Sequence, residues 1–455
     1  MPALFAETAL LPQGWADRVR IDWDAAGTIT SVSSGALPGS AERADALVPG
    51  MANLHCHSFQ RAMAGLTERA GPEGDDFWSW RAVMYRFLAK LDPDQISAIA
   101  AQLYIELLKA GYTAVAEFHY IHNDPEGRPY ADRAELANQI ALAAGVTGIR
   151  LTLLPVLYQT GNFGGAAASE GQRRFLMKTD AFNGLVESLF KSLRGSRAIR
   201  IGMAPHSLRA VPPEALRAAK AALDRLDAAA PIHIHAAEQT KEVEDCIAWS
   251  GKRPVEWLLD EMKPDARWAL IHCTHMTPEE TRRLAVSGAV AGLCPTTEAD
   301  LGDGLFPLVD YLAAKGRFGI GSDSNVGVSP AEELRWLEYG QRLVRRKRNL
   351  VPADDGQSIG GKLWRAALAG GAQALAQPTG AIAAGARADF LALDRNHPSL
   401  TGHAGDGLLD ALVFAGGTAG LRHVMVGGRW VVRDGRHPAE ERIAENYRAA
   451  LRRLA

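Results

Sequence analysis

Residues that can hold or work beside a metal ion recur where apolar runs of this chain end. His55 and His57 flank Cys56 after the run ALVPGMANLH. His119 ends YTAVAEFH and Tyr120 follows it, His206 ends RAIRIGMAPH, His235 ends PIHIH, His272 ends RWALIH, and Asp323 ends GRFGIGSD. In an extended segment side chains repeat with period two, so His55 and His57 share a face. Two imidazoles side by side, with His235 and Asp323 from distant segments, make a set of three nitrogens and one oxygen. Such a set suits Zn²⁺ or a similar divalent ion and leaves a position open for water, whose pKa the ion lowers toward neutrality. By the same period Cys56 points away and reads as core. The segment AIRIGMAPHSL offers no lysine that could bridge two ions, so a single metal is expected.

Glu238 lies three residues after His235 in HIHAAEQ. A carboxylate one turn past a ligand is placed to move a proton between water and a leaving group. In IHCTHMTPEE either His272 or His275 could orient or deprotonate the water, and the strand-end position favours His272. Asp323 can serve both as ligand and as proton acceptor.

These residues need a frame that brings distant segments together. Eight apolar, β-branched runs provide it, at 46–55, 112–119, 148–158, 197–206, 231–235, 267–272, 288–295 and 316–323. Amphipathic stretches lie between them. One runs from Asp92 as cap, through Pro93, to Gly111; another opens on Thr277, Pro278 and Glu280 and closes on Gly288. Alternation of near-continuous apolar strands with helices predicts a parallel sheet covered by helices. Eight such units predict an α/β fold of the (β/α)8, TIM-like barrel type, whose active site gathers at the C-terminal ends of the strands. The chain ends differ. Residues 1–45 and 380–436 are read as a small β-sandwich domain built from both termini, around a barrel of residues 46–379. A hairpin is expected at Gly427–Gly428, and 437–455 reads as a terminal amphipathic helix.

Composition narrows the function class. The 455 residues carry 50 Lys+Arg against 52 Asp+Glu, a net charge of -2, which does not favour a nucleic-acid partner. Hydrophobic residues make up 47% and charged residues 22%, as in a packed globular protein. Four scattered cysteines give no disulfide framework. No stretch approaches the ~20 apolar residues of a membrane helix, and the first residues lack a signal-peptide pattern. A cytoplasmic protein with no membrane partner is expected.

In order along the chain, HCH, HIHAAEQ, IHCTH and GIGSDSN resemble the metal-dependent amidohydrolase superfamily, in its aminohydrolase branch. GARADFLALD looks like that family's returning β-strand. Within the branch, NLHCHSFQRAMAGLTE, DFWSWR, EFHYIHND, PHSLRAV and SDSNVGVSPAEELRWLEYGQRL are similar to enzymes that deiminate a formimidoyl amino acid. The resemblance implies hydrolysis of a linear amidine with release of ammonia, a small-molecule substrate bearing carboxylates, one divalent metal such as Zn²⁺, and a homodimer. It assigns His55, His57, His235 and Asp323 to the metal and Glu238, His272 and Asp323 to catalysis. Substrate contacts fall to Gln60, Arg81, Tyr120, His206 and Arg209. Arginine suits that role because its fork meets a carboxylate through two parallel bonds. Trp78 and Trp80 are expected to shape the pocket, and the lid to lie within 60–90 or 159–180. The rival inside the branch is deamination of an aromatic amine such as guanine or an adenosine derivative, which calls for stacking walls instead of two arginine forks. A non-catalytic scaffold would lack some of these ligand and carboxylate residues, and none is missing.

Overall fold

Eight parallel strands form where the apolar runs fall. In the computed structural model, which describes residues 2–69, 75–352 and 356–454, they are Met51–Cys56, Tyr112–His119, Arg150–Leu157, Ile199–Ile201 with its continuation Ala204–Pro205, Ile232–Ala236, Trp268–His272, Val290–Leu293 and Arg317–Ile320. Of the lid expectation for 60–90, residues 70–74 lie outside the described residues. Neighbouring strands pair in parallel, and the eighth pairs with the first. The fourth and fifth meet only through isolated bridges, Met203 to Ile232 and Ser207 to His235, which complete the ring. Nearly every strand residue is buried, as both faces of a helix-covered parallel sheet must be.

Helices between the strands begin and end where their caps dictate. Pro93–Ala110 starts with the Asp92 carboxylate accepting from the Gln95 N–H and stops at Gly111, whose φ is 108°. Pro278–Ser287 starts from Thr277 in a capping box with Glu280 and stops at Gly288. Each cap satisfies backbone groups that have no partner inside the helix.

The run 46–55 is not the single barrel strand expected. Glu42–Pro49 belongs to a second sheet, and Met51–Cys56 opens the barrel. Gly50 is the joint, where a Cβ would overlap the Thr113 side chain. Apolar character is continuous across the joint because both strands are buried, so hydrophobicity alone cannot mark it.

Strands from both ends of the chain make that second sheet, in the order Arg429–Val432, Leu421–Val426, Phe390–Leu393, Glu42–Pro49, Ala3–Leu11, Gly14–Trp23 and Ile29–Ser33. It is one continuous sheet, folded over its own apolar cluster of Leu4, Val19, Ile21, Trp23, Phe390 and Met425. The hairpin turns at Gly427 and Gly428, with φ of 57° and 76°. The last helix, Glu440–Leu454, docks on the barrel's outer layer, where Gln95 and Lys90 donate to its carbonyls. Among the described residues no helix is long and apolar enough to cross a membrane.

Helix Ile359–Leu375 lies close against the first and eighth barrel strands through Gly370 and Gly371. A Cβ at Gly370 would overlap the Phe318 carbonyl, a backbone atom that cannot swing aside. Gly370→Ala is therefore expected to destabilise the fold by about 1–3 kcal/mol, as overpacking does. Calorimetry should show a lower Tm; an unchanged Tm would mean that the helix is free to shift.

Candidate active site

Three imidazoles and one carboxylate meet at the C-terminal mouth of the barrel. His55 comes from the first strand, His57 from the turn after it, His235 from the fifth strand, and Asp323 from the turn after the eighth. One ligand atom of each lies within 4.8 Å of all the others. His55 Nε2 is 3.0 Å from His235 Nε2, and Asp323 Oδ1 is 3.4 Å from His55 Nε2 and 3.3 Å from His57 Nε2. Bonds of about 2.0–2.1 Å in a tetrahedron would set neighbouring donors roughly 3.3 Å apart.

The tautomers fit a metal as well. His57 Nδ1 faces the Phe118 carbonyl and His235 Nδ1 faces the His206 carbonyl, each at 3.0 Å. Each Nδ1–H therefore donates outward, which leaves both Nε2 lone pairs aimed at the shared centre. Burial pushes His55 down to about 3 and holds His57 and His235 below the ordinary histidine value, so the imidazoles are neutral. Burial alone would raise Asp323, but His55, His57 and His272 outweigh it and hold the carboxyl ionised. Neutral imidazoles and a carboxylate are the protonation states that a divalent cation needs.

The strap that carries Asp323 is stitched to the first strand. The Asp323 N–H donates to the His55 carbonyl, and the His57 N–H donates to the Asp323 carbonyl, both at 3.0 Å. Asp323 and Asn325 take φ of 44° and 62°, a left-handed backbone that needs support. Asn325 gives it by donating to the carbonyls of His57 and Asp323, while Ser322 links Asn325 to Asn53. Below His57, Glu117 accepts from the N–H and hydroxyl of Ser58 and from the Tyr104 hydroxyl.

Proton-handling groups stand beside the four ligands. Glu238 sits on a turn in which Ala237 has φ of 51° and the N–H groups of both residues donate to Glu242. Its Oε2 is 3.8 Å from Arg209 Nη2, and its Oε1 is 3.7 Å from His272 Nε2. Burial raises the Glu238 carboxyl above the usual range, against the pull of His272 and Arg209. His272 lies among Glu238, Asp323 and Glu298, with Nε2 3.7 Å from Asp323 Oδ2 and Nδ1 3.3 Å from Glu298 Oε1. Burial opposes its charge, yet these carboxylates win and raise its pKa.

A cleft opens above this centre. His57, His235, Asp323 and Glu238 form its floor, and Gln60, Arg81, Tyr120, His206 and Arg209 line its walls. His55 and His272 lie beneath, fully buried. Gln60 donates to the Tyr120 hydroxyl at 3.0 Å. Arg81 projects from helix Phe77–Leu88, which Asp76 caps by accepting from two N–H groups. Trp80 also lines the cleft, whereas Trp78 stacks under the Arg81 guanidinium, 4.3 Å from its ring centre.

Strand-end His119 and loop residue His275 stand elsewhere. His119 is buried beside His122 with ring centres 5.5 Å apart, and it does not line the cleft. Phe118 and Tyr120 take the inward face of that strand, so His119 must point outward. His275 is half-buried outside the cleft, which leaves His272 as the imidazole between the two carboxylates. Cys56 is buried with its thiol toward Asn325, in the core role expected. Sequence reasoning missed Glu242, Glu298 and Asp303, which enter from helix and loop positions without a periodic signature.

The protein-family model described as "Amidohydrolase family" matches residues 46–431. The chain belongs to the amidohydrolase family. Residues 1–46 match a second model, "Formimidoylglutamate deiminase HutF, N-terminal domain". This amidohydrolase is 56% identical to formimidoylglutamate deiminase of Pseudomonas aeruginosa over 456 residues, covering 100% of each chain. It is 29% identical to 8-oxoguanine deaminase of the same species, over 86% of this chain and 82% of that one. Among solved structures, an amidohydrolase from Brucella melitensis superposes with a TM-score of 0.94 at 50% identity, over 100% of both chains. An adenosine deaminase from Xanthomonas campestris, solved with bound zinc, shares the fold with a TM-score of 0.81 at 21% identity, over 99% of this chain and 98% of that one. Amidohydrolases depend on metal, and the His–Asp centre is where this one would hold it.

Proposed function

We propose that this amidohydrolase converts N-formimidoyl-L-glutamate and water to N-formyl-L-glutamate and ammonia, the reaction of histidine breakdown. The observation that carries this reading is a pair of guanidinium groups facing the metal cleft. Arg81 has no ion-pair partner among the described residues. Arg209 is buried, its Nε lacks a hydrogen-bond partner, and its carboxylate neighbours are 3.8 and 3.9 Å away. A buried guanidinium N–H without a hydrogen-bond partner is costly, and an incoming carboxylate would satisfy it. A substrate with two carboxylates and one amidine fits two forks and one metal. The 56% identical relative, a formimidoylglutamate deiminase, supports the choice.

A single Zn²⁺ held by His55, His57, His235 and Asp323 would supply Lewis acidity and a lowered water pKa at the floor of the cleft. Arg81 and Arg209 bind the two carboxylates and fix the formimidoyl carbon above that floor. Gln60, Tyr120 and His206 orient the amidine. Asp323 accepts the proton of the attacking water, and His272 stands between Asp323 and Glu238. The water oxygen bonds to the formimidoyl carbon. Glu238 gives a proton to the terminal nitrogen, the proton held by Asp323 follows to the same nitrogen, and as the carbon–nitrogen bond breaks the hydroxyl of the adduct gives its proton back to Glu238, so that a formyl carbonyl forms and ammonia leaves. The bond from carbon to the glutamate nitrogen survives, which makes the product a formamide. We place this work in the cytoplasm and expect a homodimer, which sedimentation would test.

The test is ammonia release by purified protein carrying one zinc per chain, with N-formimidoyl-L-glutamate and, separately, guanine. Release with the first and none with the second is expected. Release with guanine alone would replace the linear amidine by an aromatic amine.

A further inference from the structure

We propose that Arg174 is a positioning residue for Arg81: its buried guanidinium clamps the C-terminal end of the helix that presents Arg81 to the cleft. This deepens the reading of Arg81 as a carboxylate fork and rests on it.

Helix Phe77–Leu88 is thinly anchored. Of its 12 residues only Phe77, Met84 and Leu88 are buried. Its last carbonyls need partners from outside the helix, as those of any helix do. Arg174 supplies them. The side chain comes from the loop after the short turn Glu170–Gln172 and is 2% exposed. Its Nη1 donates to the carbonyl of Leu88, the last residue of the helix, and to that of Leu91 at 2.9 Å. Its Nε donates to the Asn123 carbonyl at 2.9 Å, and its own carbonyl accepts from the N–H groups of His122 and Asn123, both at 3.0 Å. One residue thus ties the helix end to the segment that follows the second barrel strand.

The choice of arginine has a physical reason. A buried cation is costly, and Arg174 forms no ion pair among the described residues. The end of a helix offsets part of that cost, because the negative pole of the helix dipole lies there. The planar fork lets one side chain serve three carbonyls on two segments, which an ammonium cannot do in the same geometry. The same loop also reaches Arg81 by packing. A Cβ at Gly171 would overlap the Tyr85 ring, so loop and ring are in close contact. The Arg81 guanidinium carbon lies 5.6 Å from the centre of that ring. Phe175, next after Arg174, lines the cleft with Arg81, while Arg174 does not. Arg81 stands about two turns before Leu88, roughly 10 Å along the axis, so Arg174 acts on a bound carboxylate only through the helix.

Arg174→Met tests the idea, because it keeps much of the length and removes the fork. KM for N-formimidoyl-L-glutamate should rise about tenfold, with kcat within about threefold and zinc content unchanged. The same substitution in an Arg81→Met background should change KM less than about twofold, since the fork being positioned is gone. Effects that multiply in the double variant would overturn the proposal, as would kcat and zinc content falling together in the single one. Hydrogen exchange needs no substrate and so separates the clamp from the choice of substrate. Amides of Phe77–Leu88 should exchange about tenfold faster in Arg174→Met than in the parent, while those of Met51–Cys56 keep their rates. Equal rates in the helix would overturn the clamp. If the parent releases no ammonia from N-formimidoyl-L-glutamate, the proposed substrate fails, and the exchange comparison still decides the clamp. If Arg174→Met does not fold, Arg174→Lys replaces it, keeping the charge without the fork; the same rises in KM and exchange are expected, and unchanged values would refute the proposal.

Discussion

Glu238→Gln is expected to lower kcat ~10²–10⁴-fold while the protein keeps its metal. The amide fills the same space but can neither accept the proton nor pass it on. Its backbone should stay in place, because the N–H groups of Ala237 and Glu238, not the Glu238 side chain, hold the turn to Glu242. Glu238 is not among the four residues that converge on the metal centre, so metal content should not change. The check is kcat beside metal analysis on the same preparation. Full activity would remove Glu238 from the chemistry, and loss of metal together with activity would make it a structural support.

Arg209→Met is expected to raise KM for N-formimidoyl-L-glutamate by about 10–100-fold, with a smaller change in kcat. A hydrogen bond to a charged group is worth about 1.5–3 kcal/mol, and each 1.4 kcal/mol is tenfold in affinity. A carboxylate remote from the reacting carbon is held alike in the ground and transition states, so the loss falls on KM. The pH profile adds a signed check. Arg209 pulls the Glu238 carboxyl down against its burial, so removing the guanidinium lets that carboxyl rise. A limb that depends on protonated Glu238 then moves to higher pH. Unchanged KM and rate would take Arg209 out of the substrate site.

The barrel and its floor were legible because their signals are periodic. Apolar runs ending in His, His-x-His or Asp mark strand ends, and a barrel puts strand ends on one rim. His119 shows how the same cue misleads. It closes a run just as His235 does, but Phe118 and Tyr120 already hold the inward face. The period-two rule that set Cys56 aside would have set His119 aside too. The run 46–55 hid a change of sheet, because burial on both sides of Gly50 leaves one unbroken apolar signal. Glu242, Glu298 and Asp303 were out of reach for another reason. Each approaches Glu238 or His272 from a segment whose path depends on the finished fold, and no local spacing announces it.

The sheet built from both chain ends imposes an order on synthesis. Ala3–Leu11, Gly14–Trp23, Ile29–Ser33 and Glu42–Pro49 leave the ribosome before the barrel segments and can pair among themselves. The other edge of Glu42–Pro49 waits for Phe390–Leu393, which emerges only when the barrel segments have all been made. Throughout that interval the nascent chain presents an open strand edge next to a forming barrel. Such edges invite pairing with other chains. A crowded polysome is therefore where this fold is most vulnerable, and Phe390–Leu393 is the segment that ends the exposure of that edge.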